Sequence, residues 1–242
     1  MDLSVAVYDR AGGHKAEYGA DRTYVTASVV KVAVLAALLL RARDVGRWLE
    51  PGEERLAEAM IRRSDNEAAT ALRAAAGGVP GLDAAHARLG LTRTVAARAW
   101  GLTRTTAGDQ LTLLKAVFDA DARPDAPLDV RSRRYLAGLM GRVVPGQDWG
   151  VSASRGTGAG TGVPVDTADR DGSGRCGDGV ALKNGWLPRT ESGLWVVHSV
   201  GRVDDCLVVV LSDGHASKEE GIARVEEAAV GAVRRIAGLR HG

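Results

Sequence analysis

Strand-like segments lie near the two ends of this 242-residue chain, and a long helical stretch separates them. Residues 3–8 and 15–18 are strand-like around a turn at residues 11–13, which predicts a hairpin. Three further apolar runs are spaced for hairpins, at residues 180–186, 194–203 and 206–211. An order of strands, helices and strands requires both ends of the chain to meet in one antiparallel sheet of about five strands.

Helical segments fill the middle of the chain. Residues 28–44 are helix formers that are apolar on nearly all sides, which is typical of a helix buried between other layers. Turn signals then separate further helices at residues 53–62, 66–76, 82–89, 109–118 and 130–143, and a last helix follows the strands at residues 218–239. We predict an α+β fold, a single catalytic unit in which residues 1–45 and 144–242 form an α/β lobe and residues 46–143 an inserted all-helical lobe.

Residues 153–179 are rich in Gly, Ser, Thr and Asp, which predicts a long surface loop. A phosphate cradle is not indicated, because the stretch lacks the G-x-x-x-x-G-K-[ST] pattern.

The charges nearly cancel, with 32 Lys and Arg against 30 Asp and Glu. No global field favours nucleic acid or an anionic membrane as a partner. The longest apolar stretch, residues 29–40, is interrupted by Lys31 and is shorter than the roughly 20 residues of a membrane span. The two cysteines, Cys176 and Cys206, indicate neither a zinc site nor a disulfide framework, and whether they pair stays open. We expect no metal and no cofactor.

A serine and a lysine stand three residues apart at the start of the buried helix, in Ser28-Val29-Val30-Lys31. This spacing puts both side chains on one helical face, where a hydroxyl can pass its proton to an amine. Burial among apolar residues lowers the pKa of a lysine, and only 5 of the 32 basic residues are lysine. Taken alone, the same residues fit a helix-capping serine followed by a lysine that reaches to solvent.

Two other short motifs also have ordinary structural interpretations. Ser64-Asp65-Asn66 is a good start for a helix. Lys183-Asn184-Gly185, followed by Trp186, fits the exit of a strand.

Together the three motifs, in this order and on these elements, are the motif set of the penicillin-recognising serine enzymes. Over nearly its whole length the sequence resembles class A β-lactamases and the penicillin-binding D,D-peptidases. The resemblance implies a β-lactamase/transpeptidase-like fold, with an antiparallel sheet flanked by helices and an all-helical lobe. It also implies that the chain is a serine hydrolase that forms an acyl-enzyme.

The resemblance assigns four residues to catalysis. Ser28 is the expected nucleophile, and Lys31 is the base that activates it. Ser64 is expected to pass a proton to the leaving nitrogen. Lys183 supplies positive charge for a substrate carboxylate and tunes Ser64.

Four more positions are expected to bind substrate. Asn66 is the hydrogen-bond partner of the substrate amide, and Asn184 contributes a further hydrogen bond. Gly185 belongs to the same strand motif. The backbone N–H groups of Ser28 and Trp186 form the expected oxyanion hole. The expected partner is therefore a small-molecule or peptide-like acyl donor.

The sequence departs from the family pattern in three ways. Position 184 is Asn where the family has Thr or Ser, and the stretch between Lys31 and Ser64 is short for a class A enzyme. The family also places a glutamate before a Thr-Thr pair, here Thr105-Thr106, yet residues 84–108 contain no Asp or Glu. Without that carboxylate, release of the acyl group loses a general-base contribution of roughly 10²–10⁴-fold. We therefore expect acylation with slow deacylation.

Other hypotheses stay open at this stage. The chain is alternatively an acyltransferase of secondary metabolism, or a non-catalytic module that binds β-lactams or cell-wall fragments. We expect a monomer, cytoplasmic as the chain stands because no signal segment follows Met1, or exported if a leader was removed.

The remaining polar and aromatic residues are interpreted as structural. We expect His86 and His198 to be packed or on the surface, and Arg131, Arg133 and Arg134 to form a solvated basic face. Arg189 is within reach of a substrate carboxylate, although a surface role is the simpler interpretation. Trp186 is expected to line the cleft, whereas the other tryptophans pack in the core or the helical lobe, namely Trp48, Trp100, Trp149 and Trp195.

Overall fold

The computed structural model describes residues 1–119, 126–157 and 179–239. A five-stranded antiparallel sheet joins the two ends of the chain in the order β2-β1-β7-β6-β5. Its strands are β1 (Asp2–Asp9), β2 (Lys15–Tyr18), β5 (Val180–Pro188), β6 (Trp195–Val203) and β7 (Cys206–His215). The predicted sheet and the α+β class are confirmed.

Strand β1 holds the ends together because it pairs on both edges. Val5 lies opposite Tyr18 of β2 on one side and opposite Val210 of β7 on the other. Strand β5 pairs only with β6, so within the described residues it is an edge of the sheet, as β2 is at the other side. An edge strand leaves one row of backbone N–H and C=O groups available to a ligand.

Seven helices cover the sheet and fill the middle of the described chain. They are α1 (Val30–Asp44), α2 (Pro51–Arg62), α3 (Asn66–Ala75), α4 (Gly78–Leu89), α5 (Ala107–Phe118), α6 (Val130–Met140) and α7 (Lys218–Gly238). Local chemistry sets several of the starts. Asp65, Thr106, Asp129 and Ser217 each accept a backbone N–H as a helix cap.

The core has two layers, one on each face of the sheet. On one face, α7 packs Val225 and Ala229 with sheet residues such as Val208. On the other face, 12 of the 15 residues of α1 are buried, and the helix shares its core with α2 to α6. Full burial of a leucine such as Leu35 stabilises the fold by about 1.5–3 kcal/mol. The residues at the start of α1 are therefore fixed by a rigid core.

Two short strands were missed by the sequence analysis. β3 (Thr23–Val25) and β4 (Arg104–Thr106) pair antiparallel, with Tyr24 opposite Thr105. Three residues are too few for an alternating pattern to be recognised. The pair matters because β3 leads directly into Ser28.

The start of α4 was also predicted wrongly. The helix begins at Gly78 and not at residue 82, so the glycine-rich segment forms its first turn. Gly81 has a packing reason: a Cβ there would lie 2.0 Å from the carbonyl oxygen of Ala76. Glycines, which often end a helix, here allow close packing at the start of α4.

Most of the predicted glycine-rich loop, residues 158–178, lies outside the described residues, as does Cys176. Among the helices that are described, none combines the length and the apolar character needed to cross a bilayer.

Candidate active site

Ser28 lies in a 3₁₀ turn, Ala27–Val29, that precedes α1. Ala27 has a φ of 45°, a left-handed conformation that is costly for a residue with a side chain. Neither the turn nor α1 has a side-chain cap, so the interpretation of Ser28 as a helix cap is wrong. Ser28 is half-buried, and no hydrogen bond within the described residues engages its hydroxyl. The hydroxyl is available for chemistry.

Lys31 is completely buried, so the interpretation of a lysine that reaches to solvent is wrong as well. Its Nζ donates to the backbone oxygen of Ser64 at 2.6 Å and to the Ser64 Oγ at 3.1 Å. It also donates to the Oδ1 of Asn66 at 2.8 Å. The first motif and the second motif therefore meet at this amine.

Ser64 lies in the short link between α2 and α3. Its φ of 58° is again left-handed, so the link is strained where it carries a candidate catalytic side chain. The neighbouring Asp65 accepts the N–H of Ala68 at 2.7 Å and caps α3, which agrees with the interpretation of this motif as a helix start. The cap fixes the direction of the link and with it the position of Ser64.

Lys183 brings the third motif to the same point. It lies on the edge strand β5 with only 1% of its surface exposed. Its Nζ donates to the Oγ of Ser64 at 2.9 Å and to the backbone oxygen of Asn184 at 2.8 Å. The Oγ of Ser64 thus lies between two amines that come from α1 and β5.

Burial sets the electrostatics of both amines. Desolvation lowers the pKa of Lys31 to about 8, and the negative charge of Asp65 opposes part of this shift. Desolvation, with the positive charge of Lys31 added, holds the pKa of Lys183 well below its usual value. A site in which neutral amine is accessible near neutral pH can take a proton from a serine.

Gly185 brings β5 against the turn Ala27–Val29, which carries the expected nucleophile Ser28. A Cβ at this position would lie 2.8 Å from the backbone nitrogens of both Ser28 and Val29. Only glycine allows the edge strand to approach so closely. The backbone of β5 therefore runs past the N–H of Ser28, although the predicted oxyanion hole stays a prediction.

Asn66 is exposed at the start of α3, where its Oδ1 accepts from Lys31. No residue of the described chain engages its Nδ2, so this exposed residue keeps a free N–H donor. An amide held by its oxygen in this way presents a fixed donor to a ligand.

Asn184 and Trp186 point to the opposite face of the sheet from Lys183. The amide of Asn184 donates to the carbonyl oxygens of Gln147 at 3.0 Å and Trp149 at 2.9 Å. The ring of Trp186 packs 5.8 Å from that of Trp149 and lies 4.1 Å from the Nζ of Lys218. Side chains alternate along a strand, so the expectation that the Trp186 side chain lines the cleft is wrong. A hydrogen bond from the Asn184 side chain to substrate gains no support, because both of its donors are used elsewhere.

Trp100 belongs to the site, although the sequence analysis placed it among packing residues. Its ring centroid lies 4.9 Å from the Nζ of Lys31. It stands on an irregular loop in the acid-free stretch of residues 84–108, and no pattern in the sequence indicates that its ring faces Lys31.

Other singled-out residues lie away from this constellation. Arg189 pairs with Asp213 at 3.3 Å. His86 and His198 are buried, which agrees with the packed one of the two expected alternatives. The expectation of a solvated arginine face is wrong for Arg133, which is only 7% exposed. The described residues contain no group of three or more His, Cys, Asp or Glu that could hold a metal ion.

No protein-family model and no curated protein sequence matches the chain. Solved structures do match over almost its full length. A variant of the class A β-lactamase of the last common ancestor of Gram-negative bacteria has a TM-score of 0.70 at 21% identity, with 100% of this chain and 94% of that chain covered. A β-lactamase from Burkholderia vietnamiensis has a TM-score of 0.71 at 20% identity, with 100% and 92% covered.

PBP-A has a TM-score of 0.70 at 17% identity, with 99% of this chain and 89% of that chain covered. At such identities the likeness establishes the fold. The chain therefore has the β-lactamase-like α+β fold that class A β-lactamases and PBP-A share.

Proposed function

We propose that this chain is a serine acyl-enzyme hydrolase or acyltransferase. In this proposal Ser28 is acylated by β-lactams or by related amides and esters that bear a carboxylate. One observation carries the proposal: Lys31 and Lys183 converge on Ser64 from two different elements. Such convergence of two buried amines on one hydroxyl is costly in desolvation and fits proton transfer better than structural support.

Acylation begins with neutral Lys31. The amine takes the proton of the Ser28 hydroxyl while the Oγ forms a bond to the carbonyl carbon of the donor. The carbonyl π electrons move to oxygen, and the N–H groups of Ser28 and Trp186 receive the resulting oxyanion. A tetrahedral intermediate and a Lys31 ammonium are the products of this step.

Collapse of the intermediate breaks the bond between the carbonyl carbon and the leaving nitrogen. Ser64 gives its proton to that nitrogen, and the Lys31 ammonium returns a proton to Ser64 along the 3.1 Å contact. Lys31 is then neutral again, and the charge of Lys183 keeps the Ser64 oxygen ready to give up its proton. One proton has then moved from Ser28 to the leaving nitrogen, so the step needs no external acid.

The charge of Lys183 also favours an anionic donor. Lys31 and Lys183 are buried without an ion pair to a carboxylate in the described residues. A substrate carboxylate near Lys183 offsets part of this unpaired positive charge. The free N–H of Asn66 then binds the amide carbonyl of the donor.

Deacylation is proposed to be slow. The acid-free stretch of residues 84–108 supplies no carboxylate to deprotonate water, and Trp100 faces Lys31 from this stretch. Loss of a general base costs roughly 10²–10⁴-fold. Rapid hydrolysis of a chromogenic cephalosporin, at a turnover number of about 10–10³ s⁻¹, would contradict this part of the proposal.

The decisive experiment is intact-mass spectrometry over time with benzylpenicillin and with a D-Ala-D-Ala-type thioester. The protein should gain the mass of one acyl group, and Ser28→Ala should gain none. Ser192→Ala, in an exposed turn, is the matched control and should acylate like the parent. Absence of an adduct with every donor would overturn the proposal, and retention of penicillin without a covalent bond would favour a binding module. Hydrolysis measured with and without added amines separates a hydrolase from an acyltransferase.

A further inference from the structure

Trp100 lies on the loop that connects α4 to β4. The tryptophan is half-buried, and the face of its ring is turned to the Nζ of Lys31 at 4.9 Å from the centroid. This distance lies within the range of a cation–π interaction, which is strongest for tryptophan.

The ring is held in place by a hydrogen bond of its indole N–H. Its Nε1 donates to the Oγ1 of Thr70 at 3.1 Å, and that hydroxyl donates to the backbone oxygen of Asn66 at 3.0 Å. The ring is thus anchored to the turn of α3 that carries Asn66, whose side chain accepts from Lys31. A ring fixed by such a bond keeps one face toward the amine.

The loop itself is anchored to the nucleophile turn. The backbone N–H of Thr26 donates to the oxygen of Thr103 at 2.8 Å. A Cβ at Gly101 would lie 4.0 Å from the Cα of Ala27, so the loop packs directly beside Ser28. Arg73 of α3 also donates to the oxygen of Ala97 at 3.0 Å. Trp100 is therefore part of a fixed wall between the nucleophile turn and α3.

Few charges face Lys31. Its own helix has no acidic residue in the first turn. β5 contributes the cation Lys183, and the start of α3 contributes the carboxylate Asp65, which is engaged as a helix cap. The three atoms that accept from its Nζ are uncharged oxygens. The ring of Trp100 therefore adds to the stabilisation that Asp65 and the three oxygens give to a charge on this amine.

We propose that Trp100 is the positioning residue for Lys31, one that stabilises the ammonium formed when Lys31 takes the proton of Ser28. The proposal rests on the acyl-enzyme function proposed above. In this proposal the face of the indole ring stabilises the charge of a buried lysine, as a carboxylate beside the lysine could also do.

The chemical difference between a ring and a carboxylate matters for the fate of the acyl-enzyme. During acylation one proton moves from the Ser28 Oγ to the Lys31 Nζ, and the π face stabilises the new positive charge. The ring carbons hold no basic lone pair, so the ring cannot take a proton from water in a later step. Trp100 thus supports acylation but supplies no carboxylate for deacylation.

The interaction can be measured without any substrate. The chain has five lysines, so the Cε signals of ¹³C-labelled lysine should be few enough to titrate by NMR, with Lys31→Arg as the assignment variant. Trp100→Leu keeps an apolar side chain but removes the ring, and it should lower the pKa of Lys31 by about half a unit to one unit. Trp100→Phe should keep most of the shift. An unchanged or raised pKa in Trp100→Leu would overturn the proposal.

The pH profile of acylation gives the second readout. In Trp100→Leu the rising limb should move to lower pH by the same amount, and the plateau rate should fall because the base is weaker. Trp48, which packs against Arg131 on the helical lobe, supplies the control Trp48→Leu. Equal profiles for Trp100→Leu and the parent, or an equal shift in Trp48→Leu, would contradict the proposal. If the parent forms no acyl adduct, the proposed function fails while the titration still decides the role of Trp100.

Discussion

The Nζ of Lys183 lies 2.9 Å from the Oγ of Ser64, across 119 residues of sequence. The contact joins the edge strand of the sheet to the link between α2 and α3. It is therefore made only when the sheet and the helices are correctly assembled. Lys31 donates to the same oxygen at 3.1 Å, so the Ser64 hydroxyl is a partner that both lysines share.

Replacing Lys183 by methionine should reduce acylation at Ser28. Methionine has nearly the same length but cannot donate to Ser64. Loss of a charge-assisted hydrogen bond of about 1.5–3 kcal/mol corresponds to a rate about 10- to 100-fold lower. Time-resolved intact-mass spectrometry measures the rate, and Lys15→Met, which removes an exposed lysine, is the control. Equal rates for Lys183→Met and the parent would refute a role of Lys183 in the reaction.

Gly185→Ala should damage the site by a steric route. The new Cβ would lie 2.8 Å from the backbone nitrogens of Ser28 and Val29, and backbone atoms cannot move away cheaply. We expect a loss of about 1–3 kcal/mol in the free energy of unfolding and a fall in the acylation rate. Gly231 lies in α7, and a Cβ at this position would meet open space. Because alanine favours a helix more than glycine does, Gly231→Ala should instead stabilise the protein by about 0.5–1 kcal/mol. Urea unfolding of both variants tests the pair, and an undisturbed Gly185→Ala would show that the close approach is unnecessary.

The acylation rate should rise with pH around the pKa of Lys31, which burial lowers to about 8. The base must be neutral to accept the Ser28 proton, and about a tenth of it is neutral at pH 7. The rate should therefore increase almost tenfold per unit below pH 7 and level off above pH 9. Single-turnover acylation by benzylpenicillin between pH 5.5 and 9.5 gives the profile. A rate independent of pH over this range would exclude Lys31 as the base.

Local patterns in the sequence predict much of the fold and the order of the motifs. The alternation of β1 and the apolar character of residues 28–44 are encoded by neighbouring residues. The same alternation places Asn184 and Trp186 on the face opposite Lys183, which is what the structure shows and what contradicts the expected role of the Trp186 side chain. The two-residue period of a strand thus determines which face of the sheet a side chain lies on, even where the expected function suggests the other face.

Long-range contacts limit the rest of the prediction. Trp100 lies on an irregular loop, so no period relates its ring to Lys31, and the contact arises only from the packing of that loop on the turn that carries Ser28. The strands β3 and β4 depend in the same way on a partner that is distant in sequence. Such features are set by tertiary structure and leave little local trace.

The completely buried His198 ties the sheet to the strand that leads to Ser28. The N–H of Ser212 donates to its Nδ1 at 3.1 Å, so the ring is neutral and its Nε2 donates to the backbone oxygen of Val25 at 2.7 Å. Tyr24 packs edge-on against the ring at 5.8 Å. A proton on Nδ1 would break the bond to Ser212 and place a charge in the core.

Acid should therefore destabilise the protein partly through His198. Burial lowers its pKa to about 4 in the folded protein, against about 6.5 when the chain is unfolded. The unfolded chain binds the extra proton, so stability is fully present above pH 6.5 and is lost as the pH falls toward 4, by up to about 3 kcal/mol. Urea unfolding at pH 5 and pH 7 should show a smaller difference for His198→Gln than for the parent, whereas His14→Gln, at an exposed position, should keep the parental difference. If His198→Gln keeps the parental difference in stability between pH 5 and pH 7, the acid sensitivity arises from groups other than His198.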